Sequence, residues 1–194
     1  MKSGRPIILR RRLLGAAAAL PLAGAARAQT LPLTPECRGK AETTPRQGEG
    51  PFYTPETPRR ASLVEPGSRG ERLVLGGLVL SAQCRPVANA LLDFWHCDES
   101  GTYDNSGYRY RGHLFADAEG RFRLETILPG EYPGRTRHIH VKVQAPGRRV
   151  LTTQLYFPGE SSNARDFGYR PELALRIERS EGARLAVFQF IVDA

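Results

Sequence analysis

From residue 72 onward, short apolar runs alternate with turn signals. The runs cover 73–80, 90–96, 122–128, 138–143, 151–157 and 185–192. Between them stand Cys84-Arg85-Pro86, Asp117-Ala118-Glu119-Gly120, Pro129-Gly130 and Ala145-Pro146-Gly147, all compositions of tight turns. Phe122, Leu124 and Thr126 alternate with Arg121, Arg123 and Glu125, the period of a strand with one buried and one wet face. Repeated short runs of this kind predict an all-β chain, a β-sandwich of mostly antiparallel strands. Only 171–179 has a weak helical pattern. Residues 29–70 differ: Pro32, Pro35, Pro45, Pro51, Pro55, Pro58 and Pro66 interrupt a polar stretch with no period. That stretch is expected to be an extended N-terminal arm laid over a sandwich domain of 71–194.

Composition sharpens this picture. At 194 residues, one domain is expected, large enough for its own core. With 20 glycines and 15 prolines the chain is rich in turns, which excludes a helical bundle. The net charge of +8 suggests nucleic acid, but the first 28 residues carry six basic residues and no acid. Without them the net charge is +2, with no dense basic stripe, so a nucleic-acid partner is not expected. The same residues have the order of an export signal: Arg10-Arg11-Arg12, an apolar run over 13–26, then Ala26-Arg27-Ala28. The run is short for a membrane span, and the paired arginines resemble those of a twin-arginine signal, with the general secretory route as the alternative. The mature chain would begin at Gln29, without a stable membrane span, in the periplasm or outside the cell. Cys37, Cys84 and Cys97 would remain there, enough for one disulfide whose partners spacing does not reveal.

Candidate chemistry gathers around His138 and His140. Residues two apart on a strand face the same way, so both imidazoles project from one face while Ile139, Val141 and Val143 take the other. That arrangement suits two ligands of one metal, although histidines tied into a core share the pattern. No H-E-x-x-H and no nearby third histidine complete a zinc triad. Two tyrosines stand in exposed turn contexts: Tyr103 in Gly101-Thr102-Tyr103-Asp104 and Tyr132 in Gly130-Glu131-Tyr132-Pro133. Two hard phenolates with two neutral imidazoles would favour Fe(III). His96 and His113 read as structural, Asp93 and Asp98 as strand and turn residues, and Lys142 as a paired surface cation.

Five motifs, in order, resemble the intradiol ring-cleavage dioxygenases. They are Gly50-Pro51-Phe52-Tyr53; Phe94-Trp95-His96-Cys97-Asp98 with Gly101-Thr102-Tyr103; Leu128-Pro129-Gly130-Glu131-Tyr132-Pro133; Arg135-Thr136-Arg137-His138-Ile139-His140-Val141; and Thr153-Gln154-Leu155-Tyr156-Phe157. The resemblance is to the protocatechuate 3,4-dioxygenase-like branch, including its small exported members. It implies a β-sandwich with long active-site loops and one Fe(III) per chain held by Tyr103, Tyr132, His138 and His140. It further implies Arg135 and Gln154 as catalytic groups, Gly50, Pro51 and Phe52 as substrate wall, and Tyr132 as the phenolate that yields to substrate. The implied partners are a small aromatic diol and O2, with a homo-oligomer possible. The implied reaction opens a catechol-type ring between its hydroxyl-bearing carbons to a muconate-type diacid. Two departures are visible: many relatives read R-P-A-H where this chain has Arg135-Thr136-Arg137-His138, and only six positions separate Tyr132 from His138.

Two other readings compete with this one. A secreted transthyretin-like or carbohydrate-binding β-sandwich would share the fold and the signal but leaves the H-x-H and loop tyrosines without a purpose. A zinc hydrolase would use His138 and His140 but lacks an evident third ligand.

Overall fold

A computed structural model describes residues 36–180 and 182–194, together with Met1, Leu31 and Thr34. The expected export signal therefore lies outside the described residues, Met1 apart. Among the described residues, eight strands form two four-stranded sheets: β1 (Arg72–Ser81), β2 (Leu91–Trp95), β3 (Arg111–Phe115), β4 (Arg121–Ile127), β5 (His138–Gln144), β6 (Leu151–Tyr156), β7 (Arg176–Ser180) and β8 (Ala183–Val192). One sheet runs β4-β1-β8-β7 and the other β3-β2-β5-β6. Every strand pair is antiparallel except β1 with β8.

The core lies between the sheets. Leu75, Val79, Leu124 and Phe190 face Leu92, Phe94, Ile139, Val141 and Leu155, all fully buried. Burying each such side chain contributes about 1.5–3 kcal/mol, so the alternation in β4 and β5 dictates which face turns inward. In β5, Ile139, Val141 and Val143 point into that core, and His138 and His140 turn to the outer face.

That outer face is not left to water. The arm runs along the edge of β6, where Gln47 N donates to Thr152 O at 2.9 Å, and then crosses the β3-β2-β5-β6 sheet. There Tyr53 and Thr57 donate to the buried Asp93 carboxylate at 3.0 and 2.7 Å. Lys142 pairs with Glu49 at 2.5 Å and lies 3.4 Å from the centre of the Tyr53 ring. A disulfide joins Cys37 in the arm to Cys84 in the turn after β1, which leaves Cys97 as a buried thiol.

Two elements depart from expectation. The weak helical pattern at 171–179 becomes a single 3-10 turn, Pro171–Leu173, followed by β7. Pairing with β8 decides the matter, since the segment lies at a sheet edge whose backbone groups need partners. Strand β3 has no clear alternation because Arg111 is buried there for reasons of loop anchoring.

Candidate metal centre

His138 and His140 sit at the start of β5, opposite Tyr156 and Gln154 of β6, with Trp95 of β2 opposite His140 on the other side. The three strands hold both imidazoles side by side, and their Nε2 atoms approach to 3.2 Å. His138 Nδ1 lies 2.6 Å from Thr136 O, so that nitrogen is the donor and Nε2 keeps its lone pair toward His140. Burial pushes the His138 pKa down to about 4 and that of His140 well below the ordinary histidine value. Both rings are therefore neutral at pH 7, the form that binds a metal.

The tyrosines arrive on two interlocked loops. Asp98 closes the first by accepting from the Ser100 and Thr102 amides at 2.9 Å, and its own carbonyl accepts from Gly130 N in the second at 2.8 Å. Gly101, at φ +86°, brings the loops together: a Cβ there would stand 2.2 Å from Glu131 O. The buried Arg111 fastens the far side of Tyr103, donating to Asp104 O at 2.6 Å and to Phe52 O at 2.5 Å. The Tyr132 loop is a tight turn, closed by Arg135 N to Tyr132 O at 3.0 Å.

The two phenols differ in surroundings. Tyr103 is buried, stacked on Phe52 at 4.4 Å between ring centres. Tyr132 is half-buried, with Oη 3.5 Å from His138 Nε2 and 3.4 Å from an Arg135 nitrogen. Burial raises the pKa of both phenols above the ordinary value, so neither is ionised without a neighbouring positive charge.

The fit to a cation rests on atoms lacking partners. Tyr103 Oη is buried without a hydrogen bond among the described residues, a condition that costs about 1–3 kcal/mol. The two Nε2 atoms, 3.2 Å apart, can share one proton or turn both lone pairs on one cation. Two oxygens that ionise beside positive charge and two neutral nitrogens match a hard trivalent ion. Among the described residues, no group of three His, Cys, Asp or Glu side chains forms such a site. This cluster depends on tyrosine.

A cleft of about 350 Å³ opens beside it, lined by Arg46, Gly50, Pro51, Arg135, Gln154 and Phe167. Gly50 brings its inner end to the histidines, since a Cβ on that residue would lie 3.4 Å from His140 Cε1. Arg135 also lines a neighbouring cleft of about 350 Å³ with Tyr132, Ser162 and Arg165, so it stands between the two. Arg135 donates to Gln154 Oε1 at 2.6 Å, and Gln154 donates to Gly48 O of the arm at 3.0 Å.

The structure thus brings Tyr103, Tyr132, His138, His140, Arg135, Gln154, Gly50 and Pro51 into one region. Phe52 has a different place from that expected: it packs against Tyr103 and, edge-on at 6.1 Å, against Tyr132. His96 is tied to Thr126 Oγ1 and Cys97 O, both at 2.7 Å, and His113 lies 2.8 Å from Thr57 O. Sequence reasoning missed Trp95, Arg111, Tyr156 and Asp166 as members of the surroundings. Trp95 and Tyr156 carried a signal, because register places them beside the H-x-H once the strands are paired.

Comparison with known proteins agrees with this geometry. The Dioxygenase family model (Dioxygenase_C) matches residues 48–192. The chain is similar to the dioxygenase domain of a dioxygenase–carbohydrate-binding protein fusion from Streptomyces sp. SirexAA-E. Identity is 49% and the TM-score 0.77, over 79% of this chain and 99% of that one. An intradiol ring-cleavage dioxygenase from Tetranychus urticae shares the fold, with a TM-score of 0.73 at 22% identity over 79% of this chain and 95% of that one. The catechol 1,2-dioxygenase of Acinetobacter baylyi is 29% identical over 172 residues, 74% of this chain and 55% of that protein. This chain spans about half the length of the catechol 1,2-dioxygenases it matches. With the match running from the arm at Gly48 through all eight strands, the chain belongs to the intradiol ring-cleavage dioxygenase family.

Proposed function

We propose that this protein is a non-haem Fe(III) dioxygenase that uses O2 to open a catechol-type ring between its hydroxyl-bearing carbons, giving a muconate-type diacid. The observation that carries the reading is the meeting of two phenols and two neutral imidazoles at the inner end of a cleft. Tyr103, Tyr132, His138 and His140 would hold the metal. When bound, ferric iron supplies Lewis acidity toward both catechol oxygens and draws electron density from the ring, which opens a ring carbon to O2.

The remaining work falls to the chain's own residues. Gly50 and Pro51 form one wall of the cleft and leave room for a flat ring against His140. Tyr132, half-buried and beside Arg135, would be ionised by the metal's charge, and its phenolate Oη would take a catechol proton. Tyr103, stacked and enclosed, stays in place. Arg135 holds a positive charge where negative charge develops on the ring, and Gln154 fixes one end of its guanidinium. Fixed charges of this kind need no reorganisation during the reaction.

Metal analysis and colour test the reading. Purified protein is expected to hold one iron per chain and to be red-brown from tyrosinate-to-iron charge transfer. Stoichiometric zinc in a colourless sample would overturn it in favour of a hydrolase.

We also propose export to the periplasm or beyond by the twin-arginine route. The arginine pair before the apolar run supports this, as does a disulfide, a bond that persists in oxidising compartments. Replacing Arg11 and Arg12 by lysine should trap precursor in the cytoplasm, and unchanged export would refute that route.

A further inference from the structure

Asp166 follows the short 3-10 turn Ser161–Arg165 in the loop after β6, and no motif in the chain singles it out. Its side chain is only 1% exposed, yet it carries a formal charge into the wall between the two clefts. Arg135 Nε donates to both carboxylate oxygens, at 3.0 and 3.1 Å. One of those oxygens also accepts from Thr136 N at 2.7 Å, and the other accepts from Gly168 N at 2.7 Å. Asp166 is thus held from two separate loops while it holds the guanidinium.

Its grip is at Nε, which leaves both terminal nitrogens of Arg135 for the site. One donates to Gln154 Oε1 at 2.6 Å, and the other reaches Tyr132 Oη at 3.4 Å. Gly168 allows the loop to close this tightly, because a Cβ there would stand 3.0 Å from both an Arg135 nitrogen and Tyr156 Oη. The Phe167 ring, 5.1 Å from the guanidinium carbon, covers the same group from outside. A buried ion pair contributes little net stability, since desolvation of both charges offsets their attraction. What this one supplies is orientation.

We infer that Asp166 is a positioning residue for Arg135, setting the plane of the guanidinium so that its terminal nitrogens face Gln154 and the Tyr132 hydroxyl. The inference rests on the proposed role of Arg135 in the reaction. A double-mutant cycle on the iron-loaded protein tests it, with plain catechol as substrate. Rates are taken per bound iron, alongside melting temperature and the catechol-induced visible band. Asp166→Asn should lower kcat about ten-fold or more with iron still bound, and KM should move far less than kcat. In an Arg135→Gln background the same change should cost less than about two-fold, because its target is gone. Equal losses in both backgrounds would show that Asp166 acts independently of Arg135 and would overturn the inference.

Arg135→Lys gives a second route should the Asn variant not accumulate as folded protein. It keeps the charge but cannot reach Asp166, Gln154 and Tyr132 together. It should lose nearly as much activity as Arg135→Gln. A lysine variant with the wild-type rate would overturn the inference. A wild-type rate in Arg135→Gln itself would instead refute the role of Arg135, and the inference with it, without Asp166 having been touched.

Discussion

The Trp95 indole lies flat on the His140 imidazole, with ring centres 4.8 Å apart and planes 8° from parallel. His140 Nδ1 has no hydrogen-bond partner among the described residues, so stacking takes the place of the acceptor that usually orients a metal-binding histidine. His138 is oriented in the other way, through Thr136 O. One histidine is aimed by a hydrogen bond, its neighbour by an aromatic wall.

Trp95→Leu should therefore weaken iron binding by about 10–100-fold, the range seen when other orienting groups are removed. Trp95→Phe should keep most of it. Competition with a chelator checks this, and equal iron retention in all three proteins would refute the orienting role.

The two tyrosines should separate under the same substitution. Tyr103→Phe removes the enclosed phenol, and iron content and visible colour are expected to fall together. Tyr132→Phe should keep its iron but lose about 10²–10⁴-fold in turnover, the contribution of a positioned proton acceptor. Catechol binding, followed by its charge-transfer band, should survive that change better than turnover does. Wild-type turnover in Tyr132→Phe would refute the assignment.

Gly50→Ala combines two penalties. The backbone there has φ +73°, where a side chain is strained, and the new Cβ would fill the space beside His140 Cε1, at 3.4 Å. A loss of roughly 1 kcal/mol in stability is expected. A larger effect should appear as a rise in KM for catechol, since the cleft narrows at its inner end. Unchanged KM would mean that the ring does not bind against Gly50.

Acid should expose His96. Burial lowers its pKa to about 4, against an ordinary value near 6.5. As pH falls below 6.5 the unfolded chain gains a proton that the native form refuses, so stability present at pH 7 is lost progressively down to pH 4. At pH 4.5 the loss from this group is roughly 2–3 kcal/mol. Denaturation at pH 7 and 4.5 should show a smaller pH effect in His96→Gln than in the wild type. Parallel behaviour would assign the acid sensitivity elsewhere.

Much of this was legible from the sequence, for identifiable reasons. The alternation in 121–127 and 138–144 reports burial directly, so β4, β5 and the outward face of the H-x-H follow from period alone. The arm was legible only as a stretch without a period, because its fold comes from bonds to strands a hundred residues away. Strand β3 was hidden because Arg111 is buried to bond the carbonyls of Asp104 and Phe52, and a charged residue does not read as core. Asp166 was hidden for a related reason. A carboxylate in a loop has no signature until the fold brings Arg135 to it. The choice of Cys37 with Cys84 likewise needed the arm to be laid down first.

The course of the arm also bears on the order of events during folding. Gly48 accepts from Gln154, 106 positions later, Gln47 accepts from Tyr156 Oη at a separation of 109, and Gln47 also donates to Gly168 O at a separation of 121. Contacts that distant close late and slow the whole process, because loop entropy must be lost before they form. The arm can settle only once β5, β6 and the loop carrying Gly168 are in place, because its partners stand there. Until it does, the face bearing His138 and His140 stands open. The metal proposed for that face would have its widest approach before the arm docks, since Gly50 of the arm lies against His140.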